Sequence, residues 1–322
     1  MNQDRIEVCV TRVDRLADRV IGLTLIAHED KDLPAFGAGA HVDVHLGSNL
    51  VRQYSISSDP GEWGRYALAV QIEPAGRGGS QQLDRTVRPG SRLQISRPRN
   101  TFPLRPEAER NLFIAGGIGI TPIRSMIFES ERRGQPWSLV YGARGPAQMA
   151  FRCDLARRWP ERCTFHFSGE GNRELIPFDE LLARQLPGQH LYCCGPEAML
   201  QSVRQASAHW HAGTVHFERF SPVAVSAGDD PADDRAFEIE LAQSGEVYTV
   251  PPSKSVLEVL RQAGHDVESS CEEGTCGSCA VRVLDGCPDH RDSLGLDDPE
   301  FRRSFMMICV SRAQGARLVL DL

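Results

Sequence analysis

The sequence predicts a multi-domain protein: an antiparallel β-barrel, then a doubly wound α/β sheet, then a small α+β unit. Three observations carry this. The chain has 322 residues, more than the ~250 at which a single core usually stops growing. Its texture changes after Pro106, from alternating segments to uninterrupted apolar runs. Residues 221–235, SPVAVSAGDDPADDR, are rich in Pro, Ala, Asp and Gly without apolar periodicity and read as a linker. The expected boundaries are 1–105, 106–222, a linker at 223–235, and 236–322.

The first part justifies its class strand by strand. IEVCVTRVDRLA, VIGLTLIAH, HVDVHLG, VRQYSISS, RYALAVQIE and SRLQISRP alternate, and turns such as Asp59-Pro60-Gly61 and Pro89-Gly90 separate them. In the second part, Asn111–Ala115 is apolar throughout, as a strand buried on both faces must be. A glycine turn and a helical pattern, ITPIRSMIFESERR, follow it. Trp137–Tyr141, Cys163–Phe167 and His190–Cys194 repeat the theme, with helices at FDELLARQL and EAMLQSVRQASAHW. The third part offers strands at 237–241, 247–250 and 304–310 and a helix at 255–263.

Composition excludes several functions. No apolar stretch approaches ~18 residues, so no membrane span is expected. The N-terminus lacks a basic region followed by an apolar run, so a cytoplasmic location is expected and the ten cysteines are read as reduced or metal-bound. Residues 1–220 carry a net charge of +3 and residues 221–322 a net −10. An acidic tail on a near-neutral body argues against nucleic acid and for docking on something positive.

Three groups of residues carry chemistry. Cys271, Cys276 and Cys279 stand as C-x4-C-x2-C, with Cys309 thirty positions on. That is the plant-type 2Fe–2S spacing. Gly274 and Gly277 supply positive φ between the ligands, and zinc sites favour paired C-x2-C elements instead. Cys287 matches no ligand position. Second, Gly116-Gly117-Ile118-Gly119 leads into a helix with Thr121 as the expected N-cap and Pro122 as its first residue, a phosphate cradle. Arg144 after the second strand, and Cys194-Gly195-Pro196 after the fourth, lie at carboxyl ends that line one crevice. Third, Arg52-Gln53-Tyr54-Ser55 is followed by Gly76-Arg77-Gly78-Gly79-Ser80, a second cradle with Ser80 as cap and ligand. His41 and His45 share a strand face but lack a third ligand, so packing is their expected role.

The segment 236–322 resembles a plant-type ferredoxin, which implies a β-grasp fold. A-G-G-I-G-I-T-P, Y-G-A-R and Y-C-C-G-P resemble the pyridine-nucleotide domain of the ferredoxin–NADP reductase superfamily, and R-x-Y-S is its flavin signature. The order of these motifs over all 322 residues resembles the phthalate dioxygenase reductase family. The resemblance implies a monomer that passes electrons from NADH through FMN and a 2Fe–2S cluster to a Rieske-type terminal oxygenase acting on an aromatic acid or similar small substrate. It implies that Arg52, Gly78, Gly79 and Ser80 hold the flavin phosphate, that Tyr54 packs on the isoalloxazine, and that Ser55 lies near N5. Gly117, Gly119, Thr121 and Arg144 would hold the nucleotide, Cys194 and Gly195 would flank the nicotinamide, and Phe220 would stack on the flavin. Ser55, Thr121, Cys194 and Phe220 are thus the expected reaction-centre residues. Glu170 favours NADH over a 2′-phosphorylated cofactor, although Arg144 and Arg173 are near. The absence of a segment suited to an adenosine half favours FMN over FAD. An FAD-containing reductase serving a non-Rieske hydroxylase, and a non-catalytic iron–sulfur sensor, are the other readings the sequence leaves open.

Overall fold

The computed structural model describes residues 5–28, 32–47, 50–76, 78–169, 175–220, 235–292, 294 and 299–322. The chain divides into two compact units, Met1–Arg219 and Phe220–Leu322. Arg77, Glu170, Arg173 and all but the last residue of the expected linker lie outside the described residues.

The first unit opens with the alternating segments. Arg5–Ala17 (β1), Val20–Ala27 (β2), His41–His45 (β3), Val51–Ser55 (β4), Arg65–Gln71 (β5) and Arg92–Ser96 (β6) form a six-stranded antiparallel sheet in the order β4-β3-β6-β1-β2-β5. A bridge between Ile56 and Leu68 joins its edges and closes the barrel. Every second residue points inward, as the pleat requires. Val8, Val10, Leu23, Leu25, Val42 and Val44 build the interior. Helix Gly79–Thr86 (α1) drives Leu83 into the same core.

The second sheet contains Arg110–Gly116 (β7), Trp137–Ala143 (β8), Cys163–Phe167 (β9), Gln189–Cys194 (β10) and Val215–Glu218 (β11). Its order is β11-β10-β7-β8-β9, and every pairing is parallel. Helices Ile120–Arg132 (α2), Arg152–Arg158 (α3), Phe178–Leu181 (α4) and Glu197–Ala206 (α5) complete the doubly wound layer. Consecutive residues of β7 enter opposite cores. Phe113 and Ala115 join one cluster, Leu112 and Ile114 the other. This is why N-L-F-I-A shows no polar alternation. Each fully buried side chain of this size contributes roughly 1.5–3 kcal/mol.

Three elements depart from the sequence expectation. The FDELLARQL helix stops after four residues. Trp210 Nε1 donates to the Leu182 carbonyl at 2.9 Å, and His209 Nε2 meets the Ala183 carbonyl at 3.2 Å, so tertiary partners take the bonds a longer helix would use. Strand β11 was not expected, since four residues leave too little periodicity. Helix α3 was not expected either, and it starts from Phe151 at φ 61°.

The second unit holds Phe237–Leu241 (β12), Val247–Val250 (β13), Ala280–Asp285 (β14), Phe305–Met307 (β16) and Arg317–Leu320 (β18) in the order β13-β12-β18-β14-β16. β12 and β18 run parallel, and the other pairs antiparallel. Pro288–Asp289 (β15) pairs with Arg312–Ala313 (β17). Helix Val256–Gln262 (α6) buries Val256, Leu257 and Leu260 on this sheet, and Pro299–Ser304 (α7) follows the cluster segment. Ser255 and Glu258 cap α6 reciprocally, and a cap of this kind is worth about 1 kcal/mol. A mixed sheet with a helix across it is the β-grasp arrangement.

Candidate functional site

The flavin-type motif lies at the end of β4. Arg52 crosses the N-terminus of α1 so closely that a Cβ on Gly79 would fall 2.7 Å from its Cγ. Gly78 sits at φ 85° as the N-cap, and a Cβ there would meet nothing within 4 Å. One glycine of the turn is therefore packed and its neighbour faces open space, as a cradle for a phosphate requires. Ser80 is not the cap. It lies inside α1, and its hydroxyl accepts the Glu73 N–H at 3.0 Å. Glycine won this position because the turn needs positive φ. Tyr54 is half-buried against the barrel core, and burial raises its pKa. Ser55 is buried at the strand end opposite His41. Both ring nitrogens of His41 are buried without a hydrogen-bond partner. Burial, with help from Arg99, lowers its pKa to about 4, so the ring is neutral.

The nucleotide-type turns interlock. β7 and β10 are neighbours, with Ala115 beside Cys194. A Cβ on Gly119 would fall 2.1 Å from the Cys194 carbonyl oxygen, and one on Gly195 would fall 3.0 Å from Gly116 Cα. Gly117, at φ 54°, again faces open space, and Tyr141 Oη donates to its carbonyl at 2.9 Å. Thr121 is buried and is not the N-cap. Gly119 holds that place, and Thr121 Oγ1 donates to the Ile118 carbonyl at 2.9 Å. Pro122 follows as the third helical residue. The short 3-10 turn Gly117–Gly119 shifts the helix start forward and displaces the expected cap. Arg144 is exposed just after β8, and its carbonyl accepts the Gly169 N–H at 2.8 Å.

These two halves meet within the first unit. Arg124, one turn into α2 beyond Thr121, donates to the Ser57 carbonyl at 2.7 Å and pairs with Asp154 at 3.1 Å. Its guanidinium lies 4.7 Å from the Phe128 ring centre and 4.5 Å from that of Phe151. The Gly39 N–H donates to Ser125 Oγ at 3.0 Å. The segment just beyond the R-x-Y-S strand and the second turn of α2 therefore share one seam.

Sequence reasoning missed Glu218. The parallel β10–β11 pairing sets it beside Cys194, whose thiol donates to Oε2 at 3.9 Å. Desolvation pushes the Glu218 carboxyl up to about 8, and the thiol's hydrogen bond opposes only part of that. Burial and the adjacent Glu218 keep Cys194 a thiol. No local signal marks Glu218, because only the sheet order brings it there. Phe220, expected to stack on the flavin, belongs to the second unit, immediately precedes 221–234 and is 44% exposed.

In the second unit all four expected ligands are buried. The four thiols share one neighbourhood, in which Cys271 and Cys276, and Cys279 and Cys309, influence each other's ionisation. No group of three or more His, Cys, Asp or Glu among the described residues is arranged for a single metal ion. Four buried thiols suit two irons, each needing two thiolates. The loop turns its N–H groups onto sulfur. Glu273 and Thr275 donate to Cys271 Sγ at 3.3 and 3.4 Å, and Ser278 donates to Cys276 Sγ at 3.5 Å. Glu272, Gly274 and Gly277 have φ of 55°, 69° and 76°, which is what wrapping a short loop around sulfur demands. The donor set fits a 2Fe–2S cluster.

Comparison with known proteins agrees with this geometry. Residues 239–314 match the 2Fe-2S iron-sulfur cluster binding domain, and residues 113–205 match the oxidoreductase NAD-binding domain. The chain is 42% identical to the carnitine monooxygenase reductase subunit of Escherichia coli over 323 residues, covering 98% of both chains. It is 40% identical to the vanillate O-demethylase oxidoreductase of a Pseudomonas species, covering 98% of this chain and 100% of that one. Among solved structures it is similar to phthalate dioxygenase reductase, with a TM-score of 0.73, 36% identity, and coverage of 99% and 98%. No helix among the described residues is long and apolar enough to cross a membrane.

Proposed function

The chain belongs to the phthalate dioxygenase reductase family, and on that premise we propose that it feeds electrons, one at a time, to a Rieske-type terminal oxygenase. It is an NADH-dependent oxidoreductase, the reductase component of an oxygenase system. Its cofactors are FMN and a 2Fe–2S cluster. When bound, NADH supplies a hydride, FMN converts that two-electron step into single electrons, and the cluster carries them onward.

The observation that carries this reading is the seam where the segment after the R-x-Y-S strand meets the second turn of α2. Arg52 and the Gly78-Gly79 turn hold the flavin phosphate, with Ser80 close by. Tyr54 would pack against the isoalloxazine and Ser55 would lie near its N5. Gly117 and Gly119 admit the pyrophosphate to the helix end, Thr121 braces the turn, and Arg144 flanks the nucleotide. Cys194 and Gly195 would border the nicotinamide, Phe220 would stack on the flavin as the resemblance implies, and Glu218 holds a proton beside the Cys194 thiol. Cys271, Cys276, Cys279 and Cys309 hold the irons. The residues position and exclude water rather than act as general bases. Functionally the chain comprises 1–105, 106–222 and 236–322 joined by 223–235, acts as a monomer in the cytoplasm, and docks its acidic third part on a basic patch of the oxygenase.

Anaerobic titration with NADH, followed by visible absorption and then by EPR, tests this. Flavin bleaching followed by a reduced-cluster signal is expected. An unbleached flavin sinks the hydride step. Hydroxylation of an organic substrate by the purified protein alone, with NADH and oxygen, sinks the oxygenase partner.

A further inference from the structure

One buried charge in the second unit is not used by this reading. Asp292 is 3% exposed. Its Oδ2 accepts from Ser311 Oγ at 3.0 Å and lies 3.3 Å from His290 Nδ1, while Oδ1 accepts the Leu294 N–H at 3.0 Å. Arg302 Nη1 lies 3.8 Å from Oδ1 and donates to the Leu294 carbonyl at 3.1 Å. His290 Nε2 also meets the Arg302 carbonyl at 2.7 Å. Burial opposes ionisation of Asp292, but the bonds from His290, Leu294 and Ser311 and the charge of Arg302 outweigh it and hold the carboxyl below its usual range. The group is a carboxylate.

Its position ties two ligand-bearing segments together. Ser311 stands two residues beyond Cys309. On the other side, a Cβ on Gly274 would fall 2.9 Å from both Cα and Cβ of Asp292. Gly274 belongs to the Cys271–Cys279 loop. Asp292 thus touches the cysteine loop by packing and the Cys309 turn by hydrogen bonding.

We propose that Asp292 is a positioning residue for the iron–sulfur centre, a fixed anion that joins the two ligand segments and holds the cluster's reduction potential down, with Arg302 offsetting part of its charge. Reduction adds one negative charge to the cluster, and a nearby carboxylate in low dielectric disfavours it. The neighbouring cation favours it. The inference rests on the cluster reading above.

The test is an EPR-monitored redox titration of the full-length holoprotein as wild type, D292N and R302Q. At a fixed poise, D292N is expected to raise the ratio of reduced to oxidised cluster about tenfold, which for a one-electron couple is about 59 mV. R302Q is expected to lower that ratio. A merely structural role would not move the two variants in opposite directions. If the clusters are present and D292N is unshifted or lower, or R302Q is not lower, the inference fails. Should D292N not retain its cluster, the direction of R302Q decides alone. A wild type without any cluster signal overturns the functional reading itself.

Discussion

The two glycine-rich regions solve opposite problems. In the loop around Cys271 and Cys276, glycines at positive φ let backbone N–H groups reach sulfur, and the contacts stay within a few residues. At the interlocked turns of the first unit, Gly119 and Gly195 are required because backbone from another strand occupies the space a side chain would take. One site is built by local sequence, the other by topology. Damage should therefore be separable: changes in the loop should cost metal, and changes at the turns should cost hydride transfer.

Cys276→Ser gives the largest expected effect. It removes one of the four proposed iron ligands, so iron content and the EPR signal should be lost and electron delivery to the oxygenase abolished. NADH should still bleach the flavin at the wild-type rate. A matching loss of flavin reduction would break the comparison. Gly119→Ala is the mirror case. Its Cβ would fall 2.1 Å from the Cys194 carbonyl oxygen, so the turn must move. Misplacement of about 1 Å can cost about 100-fold, and stopped-flow flavin reduction should slow by that order with the iron content unchanged.

Glu218→Gln probes the topological site through pH. The folded carboxyl titrates near 8, against an ordinary value of 4.5. The folded state therefore binds more protons than the unfolded chain across that window, and stability should fall as pH rises through it. Below about 4.5 both states are protonated and the difference vanishes. The Gln variant should show a shallower decline in Tm between pH 6 and 8, and an identical slope would count against it. Ser255→Ala gives the smallest effect. Loss of the α6 cap should cost about 1 kcal/mol in chemical denaturation of the second unit, with no change in flavin reduction.

The same contrast explains what could be read in advance. The barrel strands were legible because one buried face forces alternation, and the 2Fe–2S domain because four thiolates need fixed spacing. The positions of Thr121 and Ser80 were misread because serine and threonine are good caps in general, while each turn here needs glycine's positive φ or a close approach. Glu218 was invisible because it becomes relevant only when β11 lies beside β10. Arg124 was invisible for a related reason. Its partners, Ser57, Phe128, Phe151 and Asp154, are scattered over nearly a hundred positions.

The contact between Gly119 and the Cys194 carbonyl also limits how this protein can be recombined. At Gly119 the turn after β7 meets the backbone, not a side chain, of the turn after β10. A chimera that borrows only one turn from a more distant reductase inherits a mismatch that no nearby rotamer can absorb. Grafts to alter nucleotide preference should therefore carry both turns as one cassette, although 75 positions of sequence separate Gly119 from Cys194.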